Sequence, residues 1–235
     1  MQEIDKQYLK TPYYGVRRMT EHIRHNLGIK LNDKRTRRLM RLMGLEAIYR
    51  KPNLSRRDQS HKIYPYLLRN LEINSVNQVW STDITYIPMK NGFMYLTAVI
   101  DWHSRYILSW GLSNSLDGVN CINTLQQALK INTPQIFNTD QGSQFTNKDF
   151  TNILENNNIQ ISMDGRGRAL DNIFIERFWK TIKYECVYLS EFQDGAELYK
   201  ALKEYFDFYN NERLHQGLDY RTPAEVYSGV MHKVS

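Results

Sequence analysis

Residues 78–112 have the sequence QVWSTDITYIPMKNGFMYLTAVIDWHSRYILSWGL, which carries the strongest structural signal in the chain. β-Branched and aromatic residues recur in three short runs, as is typical of strands: 78–87, 93–101 and 105–112. Asn91 and Gly92 separate the first two runs, and this dipeptide is a strong signal for a tight hairpin turn. The stretch therefore predicts three successive antiparallel strands.

Beyond this stretch, the pattern changes to alternating helices and strands. The spacing of apolar residues predicts helices at about 117–130, 147–157, 170–186 and 194–210, with short strands at 135–139 and 159–163. Three antiparallel strands followed by such an alternation predict an α/β fold, in which a mixed sheet is flanked by helices.

Three acids stand in distinctive surroundings within this region. Asp83 lies in WSTDITY at 80–86, Asp140 in NTDQGSQF at 138–145, and Glu176 in DNIFIE at 171–176, with 35 residues between the last two acids. Carboxylates that meet at one point raise each other's pKa, and divalent cations relieve that penalty. Carboxylate oxygens suit Mg²⁺ or Mn²⁺, and a pair of such ions can hold the attacking and leaving oxygens of phosphodiester chemistry. On local pattern alone, however, Asp140 would be a turn residue.

The flanks of these acids resemble the transposases of bacterial insertion sequences that carry a DDE triad on a retroviral-integrase-like core. The similar segments cover most of residues 76–230 in the same order: WSTDITYI at 80–87, VIDWHSRYILSW at 99–110, TDQGSQF at 139–145, SMDGRGRALDNIFIERFWKTIKYE at 162–185 and YNNERLHQGLDYRTPAEVY at 209–227. A weaker similarity covers YYGVRRMTEHI at 13–23 and RTRRLMRLMGL at 35–45. The chain is similar to the downstream-frame product of elements that encode transposase in two overlapping frames.

This resemblance implies a ribonuclease H-like fold and a DNA recombinase. It implies that Asp83, Asp140 and Glu176 are the catalytic residues and that they bind two Mg²⁺ or Mn²⁺ ions when DNA is present. The implied reaction is cleavage of the element ends, followed by strand transfer through direct transesterification with no covalent protein–DNA intermediate. The implied partners are double-stranded DNA, further copies of the chain on that DNA, and the upstream-frame product, either fused or separate.

The predicted helix at 170–186 places Glu176 on a polar stripe. On a helical wheel, Asn172, Lys180 and Lys183 lie within about 40° of Glu176. The opposite side is apolar and is expected to pack on the sheet; it carries Phe174, Ile175, Phe178 and Ile182. In the resembling family this stripe meets the end of the element, which implies DNA contacts for Asn172, Lys180 and Lys183. The simpler alternative is a surface ion pair between Glu176 and Lys180.

Positive charge is concentrated in the first third of the chain. Residues 1–75 carry 17 Lys and Arg against 7 Asp and Glu, whereas the whole 235-residue chain has a net charge of +6. Apolar spacing predicts helices at 15–27 and 33–43, with Asn32 as the N-cap of the second. The second helix also carries a run of basic residues: Lys34, Arg35, Arg37, Arg38 and Arg41. This pattern predicts a helix-turn-helix-like DNA-binding module, and a helical hairpin with a solvated basic face is the alternative.

These patterns divide the chain into three parts. We predict a basic helical DNA-binding module at 1–50, a basic linker at 51–75, and an integrase-like catalytic core with C-terminal helices at 76–235. The linker prediction rests on a polar and basic composition that includes Pro52, Arg56, Arg57 and Pro65.

Cysteine use and hydropathy bear on the cellular setting. Cys121 and Cys186 do not make a disulfide framework, which favours an intracellular protein. The sequence shows neither an N-terminal signal pattern nor an apolar run long enough to cross a membrane, so we expect a soluble, cytoplasmic and nucleoid-associated protein. No glycine-rich phosphate loop is present, which argues against a nucleoside triphosphate cofactor.

Two alternatives to a transposase remain open. A nuclease on the same fold would hydrolyse DNA without joining strands, because a fold does not fix a function. A catalytically silent regulator derived from a transposase would bind DNA without cleaving it. Asn138 favours this second alternative, since the family usually has a histidine at that position. The chain also begins only 14 residues before Gly15, whereas members of the resembling family commonly carry further helical sequence ahead of this module. A truncated chain, or a chain that is active only when fused to the upstream-frame product, therefore remains an alternative.

Overall fold

The computed structural model describes residues 1–48, 62–90, 92–165 and 172–230, and the chain divides into two units, Met1–Arg56 and Arg57–Ser235. The predicted turn residue Asn91, the first part of the predicted linker at 51–61 and the first two residues of the predicted helix at 170–186 lie outside the described residues.

The described part of the first unit, residues 1–48, contains three helices: α1 (Gln2–Lys10), α2 (Val16–Leu27) and α3 (Asp33–Leu42). α2 and α3 match the two predicted helices, and the side chain of Asn32 caps α3 by accepting a hydrogen bond from the backbone N of Arg35 at 2.8 Å. Their buried side chains meet Ile4 of α1 in one small apolar cluster. The sequence pattern does not predict α1, because Ile4 is its only buried residue.

In the second unit, the described residues form one sheet of five strands: β1 (Val79–Met89), β2 (Gly92–Asp101), β3 (Ile107–Ser113), β4 (Ile136–Thr139) and β5 (Gln160–Met163). Their order is β3-β2-β1-β4-β5. β1 pairs antiparallel with β2, and β2 with β3, whereas β1–β4 and β4–β5 are parallel. The predicted mixed sheet is therefore confirmed, with three antiparallel strands followed by two parallel ones.

The third strand begins later than predicted because the turn before it is longer. Arg105 has a left-handed backbone with φ 64°, and the buried carboxylate of Asp101 holds this turn. Its Oδ1 accepts hydrogen bonds from the backbone N and the Oγ of Ser104, both at 2.7 Å. Asp101 therefore satisfies the backbone of a turn.

Helices cover both faces of the sheet. α4 (Gly118–Leu129) and α5 (Lys148–Asn156) pack on one face, against Trp80, Val99 and Phe137. α6 (Ile173–Glu185) and α7 (Gly195–Asn211) pack on the other face, where β1 contributes Val79 and Ile87. A further short helix, α8 (Pro223–Ser228), has a capping box formed by Thr222 and Glu225 but only six residues, too few for a helical period to be recognised in the sequence.

The described part of the predicted linker, residues 62–75, packs on the second unit. Leu68 is buried in its core, and the backbone N of Leu67 donates to Oγ of Ser162 at 3.1 Å. The predicted boundaries of the linker, after residue 50 and after residue 75, remain predictions. Among the residues that the structure describes, no helix is both long enough and apolar enough to span a membrane.

Candidate active site

Asp83 lies on the face of β1 that packs against α6. Val79 and Ile87, which lie four residues before and after it, are both fully buried in the cluster that contains α6 and α7. Side chains alternate between the two faces of a strand, so residues 79, 83 and 87 share one face. Ser81 and Thr85 also lie on this face, so Asp83 is an acid flanked by two buried hydroxyl residues, with apolar residues beyond them.

Asp140 follows β4 directly, and strand register places it beside Asp83. β1 and β4 are parallel, with Ser81 opposite Asn138, and two further residues along each strand lead to Asp83 and Asp140. Neighbouring strands lie about 4.8 Å apart, so these positions are adjacent on the same face. Oδ1 of Asp140 accepts a hydrogen bond from the backbone N of Gly142 at 2.8 Å. A Cβ on Gly142 would lie 2.9 Å from that same oxygen, so a larger residue at this position would displace the carboxylate of Asp140.

Glu176 is on α6, one turn from its beginning. The buried side chains of Ile175, Phe178 and Ile182 fix the helix on the sheet, while Glu176 itself is exposed. This arrangement matches the predicted apolar side, although Phe174 is only partly buried.

The other residues of the predicted polar stripe differ in exposure. Lys180 is exposed and Lys183 is half-buried. Asn172 is only 6% exposed, so it offers less surface to a ligand than the stripe predicts. Its Oδ1 is buried and has no hydrogen-bond partner among the residues that the structure describes.

The charges of the other two acids act on Asp83. The pKa of Asp83 is raised to about 6, chiefly because the carboxyl is buried, and the negative charges of Asp140 and Glu176 raise it further. The pKa of Asp140 is also raised, again by burial. Burial lowers the pKa of Lys183, and the charge of Asp83 opposes that effect. Asp83 therefore interacts electrostatically with the other two acids and with Lys183 of α6.

This arrangement is a set of acids around one region rather than an assembled metal cage. Within the described ranges, no three His, Cys, Asp or Glu side chains come together closely enough to bind one metal ion. The donors nevertheless suit a hard divalent cation, because all three are carboxylates and Asp83 carries an electrostatic penalty that a cation would remove. The role of the three acids as ligands remains a prediction.

Several residues that sequence reasoning missed support these acids. Nε1 of Trp179 donates a hydrogen bond to Oδ2 of Asp83 at 2.9 Å. Nδ2 of Asn138 donates to Oδ1 of Asp164 at 2.8 Å, and this contact joins the ends of β4 and β5 just before Asp140. Asn138, the position that differs from the family pattern, thus has a structural role. The position of Trp179, three residues after Glu176, could have indicated a role near the acids. An aromatic residue at that spacing is equally common as a core residue, so the sequence did not distinguish the two roles.

The five basic residues predicted to contact DNA in the first unit are all exposed on α3: Lys34, Arg35, Arg37, Arg38 and Arg41. Thr36 and Met40, on the opposite side of that helix, are buried. The two-sided pattern leaves one face of α3 basic and open.

We expect Asp83 to make the metal-free protein less stable as the pH rises. A carboxyl whose pKa is higher in the folded state stabilises the fold fully below its unfolded pKa, and loses that contribution as the pH rises through the folded value. For Asp83 the window runs from 3.8 to about 6. At about 1.4 kcal/mol per pKa unit, the contribution is on the order of 3 kcal/mol.

Denaturant unfolding of the wild type and of Asp83→Asn, without divalent metal, measures this effect. The variant should gain stability relative to the wild type between about pH 4 and about pH 7.5, because asparagine does not ionise. A difference in unfolding free energy that stays constant over this range would show that Asp83 does not titrate abnormally.

Family models match nearly the whole chain. Two models described as an integrase core domain match residues 74–169 and 157–223, and one described as an HTH-like domain matches residues 1–53. The chain is 36% identical to the transposase for insertion sequence element IS904 of Lactococcus lactis, over 90% of this chain and 86% of that protein. It is 31% identical to the transposase InsF for insertion sequence IS3A of Escherichia coli, over 86% of this chain and 72% of that protein.

Solved structures share the fold at low sequence identity. The HTLV-2 integrase catalytic core domain, in complex with magnesium, has a TM-score of 0.50 and 18% identity, and the match covers 66% of this chain and 97% of that chain. A simian T-cell lymphotropic virus intasome has a TM-score of 0.58 and 17% identity, over 99% of this chain and 76% of that chain. These similarities confirm the predicted ribonuclease H-like architecture of the second unit.

Proposed function

We propose that this chain, which belongs to the insertion-sequence transposases with an integrase core domain, cleaves DNA at element ends and joins the freed ends to target DNA. The observation that carries the proposal is the strand pairing that brings Asp140 beside Asp83, with α6, the helix of Glu176, packed on the same face of β1. Burial disfavours the charge of Asp83 and of Asp140, and this is costly unless a cation joins them.

Asp83, Asp140 and Glu176 are the residues that would hold Mg²⁺ or Mn²⁺, with two ions bound when DNA is present. Such ions stabilise the charge that develops on attacking and leaving oxygens during an in-line displacement. The protein supplies position: α6 brings Lys180 and Lys183 to the same region, where they can hold a DNA phosphate. Water hydrolyses one phosphodiester at the element end and leaves a 3′-hydroxyl and a 5′-phosphate. The 3′-hydroxyl then attacks the phosphorus of a target phosphodiester and displaces the 3′-oxygen of the target strand. No nucleophilic side chain is required.

Joining, as well as cleavage, distinguishes this function from its alternatives. Labelled duplexes that carry the element ends, incubated with the full chain and Mg²⁺ or Mn²⁺, should yield both nicked ends and ends joined to a target duplex. Nicked ends without joined products would indicate a nuclease. Binding without either product would indicate a regulator, or a chain that acts only with the upstream-frame product.

The first unit is proposed as the DNA-binding module of this transposase. Its support is the match of residues 1–53 to an HTH-like domain and the exposed basic face of α3. The proposal includes further copies of the chain assembled on DNA, and a bacterial cytoplasmic, nucleoid-associated location, because the chromosome is the substrate.

Neutralising the basic face of α3 should weaken DNA binding and flatten its salt dependence. The four substitutions are Arg35→Gln, Arg37→Gln, Arg38→Gln and Arg41→Gln. Each lost phosphate contact removes about 0.9 from the slope of log K against log salt, so the slope should fall by up to about four. Equilibrium binding to duplex DNA at several salt concentrations measures this.

A matched control removes the same charge from the second unit, at the exposed lysines Lys130, Lys148, Lys200 and Lys203. This control should change the slope little. An equal loss of slope in both variants would show that binding follows net charge and not the face of α3.

A further inference from the structure

One hydrogen bond connects the strand of the first acid with the helix of the third. Trp179 lies on α6, three residues after Glu176, and its side chain is buried, with 6% of its surface exposed. Its Nε1 donates to Oδ2 of Asp83 at 2.9 Å, across 96 residues of sequence. The contact therefore ties the position of α6 to the carboxylate of β1.

A buried tryptophan needs an acceptor for its N–H, but this acceptor is unusual. A carbonyl or hydroxyl oxygen would satisfy the indole without the cost of burying a carboxylate. Instead, the bond is made to a charged oxygen, and such bonds are shorter and stronger than neutral ones. Packing alone accounts for a tryptophan at this position but not for its choice of partner.

The bond restricts a torsion that packing leaves loose. The terminal torsion of an aspartate is broad, so the plane of its carboxylate is poorly defined unless hydrogen bonds fix it. Asp83 accepts one such bond from a side chain, the indole of Trp179 at 2.9 Å. One oxygen is thus held by α6, which restricts the rotation of the carboxylate.

We infer that Trp179 is a positioning residue, which orients the carboxylate of Asp83 and fixes its separation from Glu176 so that both acids can bind one metal site. The inference rests on the proposed function, since it concerns the ligands of the metal. Trp179 touches neither metal nor DNA in this role. It acts through Asp83 and through the placement of α6.

Trp179→Phe tests the inference, because phenylalanine keeps an aromatic ring and removes the donor. Residues that orient metal ligands typically change metal affinity or activity by about 10–100-fold when they are replaced. The concentration of Mn²⁺ or Mg²⁺ for half-maximal cleavage should therefore rise at least about tenfold. Turnover at saturating metal should fall by a smaller factor. The rise in Tm that a fixed Mn²⁺ concentration produces should shrink, and DNA binding without metal should not change.

Phe178→Leu is the matched control. Phe178 is the neighbouring residue of α6, is 2% exposed, and packs in the core against Phe206 and Tyr209. Its replacement should lower the Tm of the metal-free protein and leave the metal requirement unchanged. If Trp179→Phe behaves in the same way, Trp179 is a packing residue and the inference is overturned.

A second variant keeps the test decisive if Trp179→Phe folds poorly. Trp179→His loses more packing but retains a ring N–H donor. The inference is supported if Trp179→His needs a metal concentration for half-maximal cleavage that is closer to the wild-type value than the concentration that Trp179→Phe needs. If Trp179→Phe does not fold, a near-normal metal concentration for Trp179→His supports the inference. A raised requirement in Trp179→His, with a normal one in Trp179→Phe, overturns it.

The wild-type protein separates this inference from the proposed function. If the wild type shows neither metal-dependent cleavage nor a rise in Tm with Mn²⁺, the proposed function fails and the inference fails with it. If the wild type shows both and Trp179→Phe has the same metal dependence, only the role of Trp179 is refuted.

Discussion

Asp83→Asn is expected to abolish both cleavage of element ends and strand transfer while DNA binding persists. The substitution keeps the shape of the side chain and an oxygen that can accept the hydrogen bond from Trp179, but it removes the negative charge. Loss of one group that stabilises a transition state typically costs about 10²–10³-fold in rate, and loss of a central metal ligand should cost at least as much.

The assay follows nicked and joined products from labelled element ends, with DNA binding measured on the same preparation. The Tm should rise with Mn²⁺ in the wild type and change little in Asp83→Asn, because a ligand that binds only the folded state stabilises it. Asp149→Asn is a suitable control, since Asp149 is an exposed acid on α5. Substantial cleavage by Asp83→Asn would remove Asp83 from the catalytic set.

Replacing Lys180 and Lys183 together by alanine is expected to lower strand transfer steeply with little effect on folding. Misplacement of a reacting group by about 1 Å can cost about a hundredfold in rate, so a loss of that order is expected if the two lysines hold the DNA end. If they only decorate a solvated face, the change should cost at most about 0.5 kcal/mol of stability and leave activity intact.

The structure sharpens this prediction for Lys183. Its pKa is lowered by burial and raised by the charge of Asp83, so the ammonium lies within the influence of the first acid. Lys200→Ala combined with Lys203→Ala is the matched control, because these two lysines are exposed on α7 with the same three-residue spacing. Full strand transfer by the Lys180 and Lys183 variant would refute their contact with the DNA end. An equal loss in the control would show a general effect of charge.

Local pattern accounts for most of the elements that position the site. Alternating and β-branched residues predict β1, β2 and β3, and helical spacing predicts α2 to α7, because these periods record which side of each element is buried. Pattern fails for α1, which buries only Ile4, and for α8, which has six residues. The start of β3 is also displaced, because the Asp101 turn uses a left-handed Arg105 that no periodicity reveals.

The sequence alone was sufficient to predict the mixed α/β fold, the family and the apolar side of α6, and it is the basis for proposing Asp83, Asp140 and Glu176 as the catalytic residues. Periodicity, motif spacing and flanking residues are local properties, so they can be recognised in the sequence without the tertiary structure. Nothing local shows that β4 inserts beside β1, which is what makes Asp83 and Asp140 neighbours. The burial of Asn172 and the raised pKa of Asp83 likewise arise from surroundings built by distant segments. The bond from Trp179 to Asp83 joins residues 96 apart, and only the packing of α6 on β1 brings them together.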